Sequence, residues 1–94
     1  MNKFTKNAKT IESVVNGHAV SDETITYLDP AGAVVDTQTI TSIDGVTVAK
    51  VRRNIARDEQ EKALVLIPRG VGASRWLAVP HSRKDAVVRK TLGL

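Results

Sequence analysis

Lys50, Arg52, Arg53 and Arg57 fall within eight residues of one another. Ammonium and guanidinium groups packed that closely suggest phosphate chemistry, because each cation that neutralises a phosphate releases a condensed counterion. Arg69 and Arg75 follow, flanking Gly70 and Gly72. The charge is divided along the chain: residues 1–46 hold three basic side chains against six acidic ones, net −3, and residues 47–94 hold eleven against four, net +7. The whole-chain value of +4 hides this division. Concentrated positive charge is the footprint of a phosphate-binding face, and a solvated basic surface is the plain alternative.

Other chemistries find less support. His18 and His81 are the only histidines, with no cysteine and no H-E-x-x-H spacing, so no metal site is expected. The stretch G-V-G-A-S lacks the lysine of a phosphate-binding loop, so no nucleotide or other cofactor is expected. Ser74 would need His81 beside it and an acid behind to act as a nucleophile, and sequence order shows neither. Trp76 reads as an anchor for neighbouring structure, because three aromatic residues cannot supply a stacking platform for single strands. The chain is therefore expected not to be an enzyme and to take no small-molecule substrate.

The elements that would position these cations can be read from spacing. Thr37 can cap a helix carrying Ile40 and Ile43, and Asp44-Gly45 ends it, glycine tolerating the left-handed turn. Thr47 caps a second helix, with Val48, Val51 and Ile55 in one stripe and Lys50, Arg53 and Arg57 opposite, running to about residue 61. Upstream, residues 10–15 are a short helical candidate broken by Asn16-Gly17, and S-D-E-T at 21–24 opens a helix ending at Asp29-Pro30. A competing reading makes residues 24–27 and 33–39 a hairpin around Asp29-Pro30-Ala31-Gly32, since threonine, isoleucine, tyrosine and valine favour strands. Residues 63–67 and 76–79 are apolar runs of strand length joined by a basic, glycine-containing tip. Ser82 can cap a last helix that packs through Val87, Val88 and Leu92.

Ninety-four residues make one domain with a modest core. Charged residues at 26% and hydrophobic ones at 41% are ordinary for a folded protein. No apolar run reaches the roughly 18 residues of a membrane span, no secretory signal is evident, and cysteine is absent, so a cytoplasmic protein is expected.

T-x-x-I before a turn, G-V at it, V-x-x-x-I after it, and then L-V-L-I-P-R-G-x-G-x-x-R-W-L-A-V together resemble the winged helix-turn-helix family over about residues 21–79. Thr41 and Asp44 depart from the family pattern. The resemblance implies an α+β fold: a three-helix core, a two-stranded C-terminal wing hairpin and a short C-terminal helix. Its divisions would be an N-terminal arm at 1–20, flexible or partly helical, the winged domain at 21–80 and a helical tail at 81–94. It makes the helix from Thr47 a recognition helix in the major groove, with Thr47, Ala49, Lys50, Arg52 and Arg53 toward the bases and Arg57 toward backbone. The wing of residues 68–75 would bring Arg69, Gly70, Gly72, Ser74 and Arg75 to an adjacent groove.

The function so implied is sequence-specific binding of double-stranded DNA, as a small transcriptional regulator, with possible homodimerisation through the C-terminal helix. An architectural or recombination and replication accessory role for a mobile element uses the same surface. A protein-interaction module whose basic face takes an acidic partner is the reading from another class.

Overall fold

Two dipeptides decide the architecture. Asn16-Gly17 and Asp44-Gly45 both hold positive φ at both positions, 50° and 79° in the first and 51° and 80° in the second. That is the geometry of a two-residue turn whose twist matches the strands it joins, so each closes a β-hairpin. The computed structural model describes residues 4–68 and 74–94. It is a six-stranded antiparallel sheet in chain order, β1 (Thr5–Val15), β2 (His18–Leu28), β3 (Val34–Ile43), β4 (Val46–Asn54), β5 (Lys62–Pro68) and β6 (Ser74–Val79), followed by one helix, α1 (His81–Thr91).

The winged helix-turn-helix expectation is overturned, and with it the three-helix core and the DNA-reading architecture. Residues 10–15, 21–28, 37–43 and 47–54 are strands, not helices, and residues 5–20 form strand and turn, not an arm. The cause is residue type. The i, i+3 spacings of Ile40 with Ile43 and Val48 with Val51 sit among Thr37, Thr39, Thr41 and Thr47, and β-branched side chains lose rotamer freedom in a helix and pack well on a pleat. The competing hairpin around 29–32 is the one that forms, as the β2–β3 connection. There the Asp29 carboxylate accepts from the backbone N–H groups of Ala31 and Ala33, each at 2.9 Å. The C-terminal hairpin forms as well, β5 paired with β6, but it ends a sheet and flanks no helical core.

Strand alternation sorts the side chains onto two faces. Val20 lies opposite Ile43, and Thr41 opposite Ala49, which lies opposite Val65. On this face the helix packs, against β5 and β4. The chain leaves β6 at Pro80 and runs back over the sheet until Leu92 meets Val20 and Ile43, with Val15, Val48 and Val88 around them. Ala49 and Ala63 are almost fully buried on this face. A register shift between Thr41 and Ser42 inserts an extra residue into β4, a bulge that lets Val48 join the same cluster.

The helix carries no side-chain cap: Pro80 holds that position, not Ser82, and the first turn has no acid. Its C-terminus is better made. Arg89 and Lys90 complement the dipole, and Gly93 at φ 76° lets the Gly93 and Leu94 N–H groups reach back to Lys90 and Arg89. Asn16 Nδ2 donates to the Leu92 carbonyl at 2.7 Å, fastening the helix end to the first hairpin turn. Among the described residues, no helix is long and apolar enough to cross a membrane.

Candidate interaction face

No helix or further strand of the described chain packs on the other face of the sheet, which the β4–β5 loop residues Arg57, Glu59 and Gln60 border beside Arg52, Lys62 and Leu64. Rows across it follow from the register: Thr10–Glu23–Ile40–Lys50–Leu64–Ala78 is one, and Ala8–Ile25–Gln38–Arg52–Lys62 is the next. Leu66 and Trp76 lie beside the first row, Tyr27 and Asp36 beside the second. Ile40, Leu64, Leu66 and Trp76 are half-buried here, and Ile25 is buried.

The expected site residues are scattered by this arrangement. Thr47 lies on the open face, 3.3 Å from the Ser42 hydroxyl, and Ala49 is on the other face with no exposed surface, so it can touch no ligand. Lys50 stands over the Trp76 ring, 4.3 Å from its centroid, a cation–π contact that makes Trp76 an anchor. Arg52 faces the open side, Arg53 the opposite one, and Arg57 is exposed in the β4–β5 loop, where the Asn54 side chain accepts from its backbone N–H. One helical stripe of cations therefore does not exist, since a strand sends neighbours to opposite faces. Arg69, Gly70 and Gly72 lie outside the described residues. Ser74 and Arg75 are exposed at the start of β6, on opposite faces.

Sequence reasoning missed Asp36. Arg52 Nη2 donates to Asp36 Oδ2 at 3.0 Å, and the carboxylate raises the guanidinium pKa above its ordinary value through that hydrogen bond first and its charge second. The Asp36 side chain is only 16% exposed, and its Oδ1 is buried without a partner. The pair lies in a cleft of about 670 Å³ that also takes in Phe4, Tyr27, Gln38 and Asn54. The alternation Asp36-x-Gln38-x-Ile40 and Lys50-x-Arg52-x-Asn54 carried the signal, had period two been read there.

The histidines are apart. His18 Nδ1 lies 2.6 Å from Asp44 Oδ2 while Asp44 Oδ1 accepts from the Ala19 N–H at 3.0 Å, so one carboxylate joins the two type I′ turns. These two hydrogen bonds, His18 first, hold the exposed Asp44 carboxyl below its usual range. His81 Nε2 is 3.5 Å from Glu61 Oε1, at the opposite end of the sheet. Among the described residues, no three His, Asp or Glu side chains gather closely enough to hold a metal ion. The C-terminal helix expected to be free for dimerisation is occupied, its Val88 and Leu92 packed against its own sheet.

The shape is extended. A monomer of 10.2 kDa is expected to expose about 5,300 Å², and this one exposes 6617 Å². Its radius of gyration is 14.8 Å where a compact chain of this length has about 12 Å. The chain matches no family model, no curated protein and no solved structure.

Proposed function

We propose that this chain is a non-enzymatic protein-interaction module that works through the open face of its sheet. The observation that carries the reading is the surface excess: 6617 Å² exposed by a single sheet covered by one helix on one side only. A sheet normally buries one face at least, and here the second face also carries half-buried Ile40, Leu64, Leu66 and Trp76 between charged residues. The cytoplasm remains the proposed location.

Lysine acetylation footprinting in the native cellular setting tests this. Lys50 and Lys62, on the open face, become less reactive than in the dilute purified protein, while Lys9 and Lys90 elsewhere do not change. Equal reactivity of all four in both settings rejects the interaction reading. Duplex DNA is the competing partner, resting only on the surviving positive charge of residues 47–94. Salt-sensitive binding to random duplex that protects Lys90 on the outer side of α1 favours DNA instead.

A further inference from the structure

The two edges of the sheet are unlike. β6 is six residues long, carries Arg75 as its one charge and stops at Pro80, whereas β1 runs eleven residues with no proline, no glycine and no break in its register with β2. Every β1 residue but Val15 is exposed, Ile11 at 61% and Val14 at 76%. The two-residue turn makes Val15 and His18 a hydrogen-bonded pair, so the odd-numbered residues of β1 turn their backbone groups toward β2. Lys6, Ala8, Thr10, Glu12 and Val14 turn theirs outward, and no strand of the described chain meets them. Natural sheets shorten, bulge or interrupt such an edge, and this one is left whole. Neither Lys6 nor Glu12 has an ion-pair partner among the described residues. A strand with a cation near its start and an acid near its end is complementary to its own antiparallel copy.

We propose that β1 pairs antiparallel with β1 of a second copy, edge to edge about a two-fold axis perpendicular to the sheet. The contact uses the edge and leaves the open face free, so it stands apart from the interaction reading above. Only outward-turned residues can exchange backbone bonds, so even-numbered residues must oppose even-numbered ones. With Thr10 opposite the partner's Thr10, all eleven residues pair. Lys6 then faces the partner's Val14 and lies diagonal to the partner's Glu12, within reach of a long side chain. Lys9 faces the partner's Ile11, so lysine stems cover both exposed apolar side chains of the strand. Slipping the register by two residues one way sets Lys9 directly against the partner's Lys9. Slipping it the other way sets Glu12 diagonal to the partner's Glu12, so charge selects the central register. There the one like-charge contact is Lys9 diagonal to its own copy, on the helix side, where Asp22 is diagonal to Lys9 within the same chain. The rotation keeps both open faces on one side, so two six-stranded sheets become one continuous surface. A single strand edge is a small contact, and association in about the micromolar range is expected.

Sedimentation equilibrium of the full chain is the test. The native chain is expected to dimerise, and T10P to weaken the dimer about a hundredfold or more in Kd. Proline there removes an outward N–H at the centre of the contact and leaves the β1–β2 ladder its bonds. T10A keeps that N–H and is expected to dimerise as the native chain does. K6E and E12K are each expected to weaken the dimer about fivefold, and K6E/E12K to regain the loss, because the charges are exchanged and not removed. Lys6 and Glu12 of one copy are some 20 Å apart along the strand, so that rescue can act only between copies. Circular dichroism confirms the fold of each variant, and if T10P does not fold, the charge exchange decides. A native chain that is monomeric at every concentration overturns the proposal, as does a dimer that a folded T10P leaves intact or that K6E/E12K fails to restore. The footprint of Lys50 and Lys62 reads the open face, so failure of the edge contact is distinct from failure of the interaction reading.

Discussion

The two faces of this sheet are made from the same strands yet differ in what sits between neighbouring backbones. On the covered face Ala49, Ala63 and Val65 are small and buried, so a helix can settle close to the sheet, and Leu92 fills the space against Val20 and Ile43. On the open face Lys50, Arg52, Glu23 and Trp76 are long, and pairs such as Asp36–Arg52 and Lys50–Trp76 hold them in place without a covering layer. The difference teaches that side-chain length decides which face takes the internal helix, and that charge placement decides what the other face can take.

The sharpest break in that contrast is truncation on each side. L92A removes a side chain that is 5% exposed and is expected to cost about 2–5 kcal/mol in denaturant unfolding. I40A, on the open face, is expected to cost the isolated monomer only about 1 kcal/mol, since a half-buried side chain leaves less area to lose. Equal losses would mean the two faces are equally packed. A smaller effect comes from the backbone that sets strand pairing. Gly45 has open space around it and φ of 80°, so G45A meets only the left-handed penalty, about 1–2 kcal/mol by the same measurement. No loss would show that the β3–β4 turn is not held in this form.

The smallest effect concerns pH. Asp44 titrates below its usual value in the folded chain, so its contribution is complete above the ordinary carboxylate pKa of about 4 and is lost as pH falls through the lowered folded value. D44N is therefore expected to flatten the fall of stability with acid below about pH 4, read from unfolding midpoints across a pH series. An unchanged slope would mean that the Asp44 link between the two turns contributes nothing.

Part of this fold was open to reading from the chain itself. Asn16-Gly17 and Asp44-Gly45 are the strongest short hairpin signals there are, and both read as turns; the three-residue spacings of Ile and Val in their flanks imitate helical stripes. In an amphipathic strand the same residues also recur, because one face alternates while the other supplies intervening Val and Ile. The runs at 63–67 and 76–79 had no such ambiguity and formed the expected hairpin. The helix at the C-terminus was equally legible, since Val87, Val88 and Leu92 leave only one apolar side. The candidate site was not legible as a site. The basic residues were visible, but their division between two faces depends on period two, and the meeting of Asp36 with Arg52 depends on the β3–β4 register.

The bond from Asn16 to the Leu92 carbonyl joins residues 76 positions apart, while every strand pairs with the one before it in sequence. During synthesis each hairpin can therefore close soon after it leaves the ribosome, since only short loops must be ordered. Val20 and Ile43 must wait uncovered until Leu92 arrives, nearly fifty residues after Ile43. At some 5–20 residues per second that is an interval of several seconds. During it the nascent sheet carries an exposed apolar patch around Val20 and Ile43, the kind of surface at which an incomplete chain is prone to aggregate.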